Sequence, residues 1–208
     1  PHGCVILTQR PFICASMLLP PVGTRRAGIV GILRMASAGS GQSSLLALCS
    51  IHTIAYQTKE NRAMRAQQLE HAAKFCEEQL ALQRSGAEET TGAILMGDMN
   101  LHYVAEDAVV GQLKAVDLWA ETHFGAGGDQ ADGYTFDTPN NSMIPRYIPG
   151  EKRRVRLDRI LMTQGAPFTP VGECRLWANA PVDAKRDVFI SDHFGLTVDL
   201  QLAASGYQ

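Results

Sequence analysis

Apolar and polar positions divide the chain into short apolar runs and one long helical stripe. Runs at residues 5–7, 12–19 and 27–34 are separated by Gln9-Arg10-Pro11 and by Leu19-Pro20-Pro21-Val22-Gly23, and they predict three strands. Their close spacing makes them antiparallel neighbours. Residues 36–44 are small and polar and predict a flexible surface loop. Residues 45–51 are apolar again and end in His52. Over 61–84 the period changes: Leu69, Ala72, Cys76 and Leu80 recur at helical spacing, and Glu70 stands four residues before Lys74. This predicts one long helix with its apolar stripe on the sheet and Arg62, Arg65 and Arg84 on a solvated face.

In the second half, Ala93-Ile94-Leu95-Met96 ends abruptly in Gly97-Asp98-Met99-Asn100. A short apolar run bounded by glycines reads as a buried strand. Gly97 lets the backbone turn, so Asp98 and Asn100 emerge together at the sheet edge with Met99 pointing the other way. The plain alternative is an Asp/Asn turn. Residues 108–119 predict a short helix or irregular cover, and 125–133 a polar Gly-rich loop. Residues 134–137, Tyr-Thr-Phe-Asp, predict a short strand with an aromatic on each face, followed by a turn over 138–142. Residues 153–162 alternate as one strand with Asp158 inside it, where a carboxylate is costly unless paired. After 188–190 comes Ser191-Asp192-His193-Phe194-Gly195, and 196–202 forms the last strand. This order lacks a regular βαβ repeat and predicts a mostly antiparallel α/β sandwich.

Composition narrows the picture. With 208 residues, 45% hydrophobic content and a mean hydropathy of -0.08, the chain can bury a sizeable core as a soluble globular protein, and no run is long enough to span a bilayer. A net charge of -2 supplies no global attraction to nucleic acid. Binding to it requires a local patch, for which Lys152, Arg153, Arg154, Arg156 and Arg159 are the candidates; the same charges also protect a strand edge. Five cysteines without a CxxC pair argue against a disulfide framework and a zinc site, and predict reduced core residues in a nuclear or cytoplasmic setting. The first residue is Pro1 rather than methionine, and the chain is expected to be part of a longer protein.

His52, Asp98 with Asn100, Asp158, and Asp192 with His193 each fall at or near the end of a predicted strand. Hydrolysis of a phosphate ester needs hard oxygen ligands for a divalent cation, a carboxylate that orients or deprotonates water, and donors for the phosphorane charge. This set contains each type of group.

The blocks Gly97-Asp98-Met99-Asn100, Arg156-Leu157-Asp158-Arg159-Ile160 and Ser191-Asp192-His193-Phe194-Gly195-Leu196, in this order, resemble the signatures of the endonuclease/exonuclease/phosphatase superfamily. Val116-Asp117-Leu118-Trp119, Tyr134-Thr135-Phe136-Asp137-Thr138 with Asn141-Ser142, and the Asp-His-Phe-Gly-Leu ending resemble its 5′-tyrosyl-DNA phosphodiesterase branch. The resemblance implies a two-sheet, mostly antiparallel β-sandwich flanked by helices, of the deoxyribonuclease I type. It implies that Asp98 positions or activates water, Asn100 and His52 contact the phosphate, Asp192 joins the magnesium shell (manganese serving as well), and His193 donates to the phosphate with Asp158 behind it. Phe136, Tyr134, Asn141, Arg153 and Arg154 become substrate contacts. The implied partner is DNA carrying a 5′-linked protein or tyrosine, repaired to a 5′-phosphate end. An abasic endonuclease, a deadenylase, an inositol or lipid phosphatase and a non-catalytic binding module remain alternatives. The superfamily also carries an upstream Gln-Glu metal ligand, whereas no Glu precedes Glu60. Residues 1–208 are therefore expected to form the C-terminal two thirds of one such domain, with an incomplete metal site, an open sheet edge and weak activity.

Overall fold

The computed structural model describes residues 3–20, 26–36, 43–86, 89–124 and 132–203. Six strands form its main sheet: β1 (Cys14–Leu18), β2 (Gly28–Ala36), β3 (Ser43–Ser50), β4 (Thr90–Asp98), β5 (Ala115–Asp117) and β8 (Asp158–Thr163), in the order β1-β2-β3-β4-β8-β5. Only β3 and β4 pair in parallel; the other pairs are antiparallel. Parallel neighbours need a long crossover. Helix α1 (Lys59–Gln83) provides it, opened by Thr58, whose hydroxyl accepts the Asn61 N–H at 3.2 Å.

Strand alternation divides the core between the two faces of this sheet. Val30, Ile32, Leu45, Ala47, Cys49, Ala93, Leu95 and Leu161 point to α1 and meet Leu69, Ala72, Cys76 and Leu80. Leu33, Leu46, Ile94 and Met162 point the opposite way, onto Leu118 at the start of α3 (Leu118–Phe124) and Phe168. There the second layer consists of three two-stranded ribbons: β6 (Phe136–Asp137) with β7 (Arg154–Val155), β9 (Phe168–Pro170) with β12 (Leu200–Leu202), and β10 (Arg175–Trp177) with β11 (Gly195–Thr197). The result is a mixed α/β fold with layers on both faces of one multi-strand sheet.

Several expected elements are subdivided or absent, each for a physical reason. Residues 5–7 form no strand: Val5 and Leu7 are 71% and 88% exposed, and an apolar run without a pairing partner stays irregular. Residues 108–119 hold helix α2 (Ala108–Gln112), then edge strand β5, then the start of α3. The strand over 153–162 breaks at Arg156 and Leu157, because Arg156 turns inward to Asp117 and the Leu157 and Asp158 N–H groups donate to Thr135 Oγ1 at 3.1 and 3.0 Å. The strand over 196–202 breaks where it changes partner from β10 to β9. Tyr134 precedes the two-residue strand β6, so that strand does not carry an aromatic on each face. Residues 37–42 of the expected flexible loop and 125–131 of the Gly-rich loop lie outside the described residues, while Ala36 ends β2 and Ser43 opens β3.

Three arginines read from sequence as surface charge are core residues. Arg65 is fully buried, bonded to Glu106 and to the Ile54 and Tyr56 carbonyls. Arg156 and Arg159 both grip Asp117 at 2.8 and 2.6 Å, and Arg159 also reaches Asp107 at 3.0 Å. The five cysteines are free, three of them buried. Among the described residues no helix is long and apolar enough to cross a membrane.

Candidate active site

The site begins with a steric requirement at the end of β4. Gly97 has φ 131°, and a Cβ there would lie 2.1 Å from the Ile51 carbonyl oxygen. Only glycine fits such an approach. It brings β4 against the chain leaving β3, where Thr53 N–H donates to the Asp98 carbonyl at 3.0 Å and Thr53 Oγ1 to the Met99 carbonyl at 2.5 Å. His52 is thereby set beside Asp98, with Nε2 3.2 Å from Oδ2. Asn100 follows with φ 50°, its N–H donating to Asp98 Oδ1 at 2.9 Å and its Nδ2 to the Thr53 carbonyl at 3.2 Å. One amide hydrogen and Oδ1 of Asn100 remain for a ligand.

A second acid–imidazole pair stands on the neighbouring strand. Asp158 is the register partner of Asp98 across β4 and β8, and directly opposed like charges are unfavourable. Each carboxylate has its own histidine: Asp158 Oδ2 lies 2.7 Å from His193 Nδ1. His193 reaches this position on a loop tied at three points. Asn141 Nδ2 donates to the Ser191 carbonyl at 2.9 Å, the His193 N–H donates to Ser191 Oγ at 3.1 Å, and the Phe194 N–H donates to the Thr135 carbonyl at 2.7 Å. Phe136 packs edge-on against the imidazole, 5.3 Å between centroids.

These surroundings move the two pairs in opposite directions. Burial alone would raise Asp98. The His52 hydrogen bond, the charges of His193 and His52 and the Asn100 N–H outweigh it and hold the carboxyl below its ordinary value. Burial also opposes charge on His193. The hydrogen bond that Nδ1–H donates to Asp158 and the charges of Asp158, Asp98 and Asp192 prevail and raise it to about 9. At neutral pH the site holds a carboxylate next to an imidazolium.

The structure thus brings together His52, Asp98, Asn100, Asp158 and His193, and it separates the expected substrate contacts. Asn141 is fully buried and has both amide groups engaged, Oδ1 accepting the Met143 N–H at 3.1 Å, so it anchors the Ser191 loop. Phe136 is only 4% exposed and supports the imidazole instead of offering a stacking face. Arg153 pairs with Glu151 and Arg154 with Asp137, with Arg154 over the Tyr134 ring at 4.5 Å. Tyr134 and Arg154 line a cleft of about 390 Å³ together with Leu101 and His102. The basic patch is smaller than its sequence: Arg156 and Arg159 lie inside the core.

Sequence reasoning missed Thr135 and Thr53, both fully buried, whose hydroxyls join the blocks bearing the acids and histidines. Their only signal is position, beside the motifs. His102 was missed as well; burial foremost, then the Arg65 and Arg153 charges, lower its pKa, and both ring nitrogens are buried without a hydrogen-bond partner.

Among the described residues no group of three or more His, Cys, Asp or Glu side chains comes together as a metal-ligand set. Both Asp98 oxygens already have partners, and Asp192 Oδ1 accepts the Ser191 hydroxyl at 3.3 Å. The described side chains by themselves do not complete a divalent-cation shell.

Fold and site together define a mixed α/β scaffold of the deoxyribonuclease I type. The chain belongs to the Endonuclease/Exonuclease/phosphatase family, whose profile matches residues 1–193. In fold it is similar to D. rerio TDP2 complexed with single strand DNA product, at 24% identity and a TM-score of 0.63, covering 91% of this chain and 68% of that one. It is similar to truncated Caenorhabditis elegans TDP2, at 19% identity and a TM-score of 0.60, covering 89% and 64% respectively. An endonuclease/exonuclease/phosphatase from Beutenbergia cavernae matches at 16% identity and a TM-score of 0.57, covering 94% of this chain and 46% of that one. No curated protein matches the chain. The resemblance to the superfamily is borne out by the family match, and the TDP2 structures share the fold.

Proposed function

We propose that the chain is a phosphodiesterase acting on 5′-phosphotyrosyl DNA ends, with Mg2+ or Mn2+ as cofactor. The observation that carries this reading is a pair of acid–imidazole contacts on neighbouring strands, His52 Nε2 3.2 Å from Asp98 Oδ2 and His193 Nδ1 2.7 Å from Asp158 Oδ2, with Asp98 and Asp158 as register partners. These surroundings favour an anionic Asp98 and a cationic His193. Attack of water on a phosphodiester needs an acceptor for the water proton and fixed positive charge for the phosphorane oxygens. Asp98, oriented by His52 and the Asn100 N–H, accepts the proton. His193, its Nδ1 engaged by Asp158, presents Nε2–H to the phosphate. Asn100 adds its remaining amide hydrogen. A tyrosyl leaving group has a pKa of about 10 and departs as phenolate with little proton donation, which suits a histidine that retains its proton near neutrality. A divalent cation, when bound, would be held in part by Asp192 and would supply further charge neutralisation.

A DNA strand as ligand is supported by the D. rerio TDP2 neighbour, which is complexed with single strand DNA product. The test is release of tyrosine from a 5′-phosphotyrosyl oligonucleotide with and without Mg2+, with Asp98→Asn as control. The expected outcome is metal-dependent cleavage reduced about a hundredfold or more in the variant. Cleavage of an abasic duplex, a poly(A) tail or an inositol phosphate instead would move the substrate and keep the chemistry. Inactivity on all four would leave a binding module.

A further inference from the structure

We propose that Trp177 is a stacking platform for an unpaired nucleobase of the substrate strand, close to the scissile phosphate. The inference rests on the phosphodiesterase reading for the nature of the ligand. The expected stacking residue, Phe136, is buried, whereas Trp177 is 61% exposed. An exposed indole is a large apolar surface left in water, and its position makes it useful. Trp177 ends β10 opposite Gly195, the first residue of β11, and Gly195 follows His193 by two residues. Paired strands stand about 5 Å apart and two residues span at most about 7 Å, so the Trp177 backbone is within about 12 Å of that of His193. A Cβ on Gly195 would lie 3.1 Å from Trp177 Cε3, so the glycine leaves room for the ring to lie over the backbone next to the catalytic loop.

The segment that leads to His193 carries exposed groups of the other kinds a single-strand site uses. Ile190, three residues before His193, is 60% exposed. Lys185 and Arg186 are presented on a turn whose N–H groups donate to Asp183 Oδ1 at 3.0 and 3.1 Å, and the Arg186 side chain, 83% exposed, lies 3.7 Å from Asp183 Oδ2. Exposed aromatic surface together with exposed cations is the composition by which proteins hold unpaired nucleic acid: cations follow the phosphates and bases stack on the ring.

The chain has two tryptophans, and Trp119 is buried, so contact quenching by a bound oligonucleotide acts chiefly on Trp177. Titration with a short oligothymidylate should quench the wild-type emission, and the Trp177→Phe variant should lack that change. In turnover of a 5′-phosphotyrosyl single strand, Trp177→Ala should raise KM about tenfold with kcat within about twofold, and Trp177→Tyr should restore most of the loss. A blunt duplex end, whose bases are already stacked, should show no such rise. An unchanged KM in Trp177→Ala would overturn the proposal, as would an equal rise on a strand whose sugars near the phosphotyrosine lack bases. That second result would assign Trp177 to the linked protein or to folding. If the wild type turns over no phosphotyrosyl substrate, the proposed reaction fails and the quenching titration alone decides for or against the platform.

Discussion

At the scale of single residues, the site depends on two carboxylates that would repel each other without their histidines. Asp98 and Asp158 face each other across β4 and β8, and each carboxylate is in contact with an imidazole of its own. The consequence is a pH dependence with a definite sign. Activity needs Asp98 ionised and His193 protonated, so kcat/KM should rise at acid pH below the ordinary carboxylate range, stay level through neutrality, and fall as pH passes about 9. Asp158→Asn removes the charge, and with it the charge-assisted hydrogen bond, that raises His193, so the alkaline limb should move down towards the ordinary histidine value of 6.5. A pH–rate profile of both proteins checks this. An alkaline limb that does not move would mean that another group sets it.

At the scale of elements, the site is assembled by hydrogen bonds between segments with no regular pairing of their own. Thr135 is the junction: its hydroxyl receives two N–H groups from the start of β8, and its carbonyl receives Phe194 N–H beside His193. Replacing it by valine keeps the shape and leaves one buried and one part-buried donor without this partner. Such donors cost about 1–3 kcal/mol each. Thr135→Val should therefore lose about 2–4 kcal/mol in urea unfolding, with a larger loss in kcat than in KM, because both His193 and its orienting acid are displaced. A loss confined to stability would assign Thr135 to packing alone.

At the scale of the whole molecule, a buried ionic lattice fastens the second layer to the sheet. Asp117 on edge strand β5 binds Arg156, in the break between β7 and β8, and Arg159 on β8, while Arg159 also reaches Asp107 ahead of α2. Burial opposes ionisation of Asp117, and the Arg159 and Arg156 charges overcome it and keep the carboxyl low. Removing one member of such a lattice strands the others. Asp117→Asn should cost about 3–5 kcal/mol, measured as a shift of the urea midpoint. A shift below about 1 kcal/mol would mean that solvent already screens these charges.

Helix α1, the three strands β3, β4 and β8 that feed the site, and the candidates at their ends are legible along the chain, because apolar periodicity and Gly97-Asp98-Met99-Asn100 are local signals. The sequence also marked Asp158 as a carboxylate in need of a partner. Only the tertiary structure decided which partner: His193 stands 35 residues away, and the contact depends on Asn141 and Thr135, which have no local signature. Tertiary structure likewise turned Arg65, Arg156 and Arg159 inward and Trp177 outward, against their averages. A charged side chain is buried when another segment brings its counter-charge, and an aromatic is exposed when nothing folds over it. Both conditions are set by residues distant in the chain, so neither can be read along it.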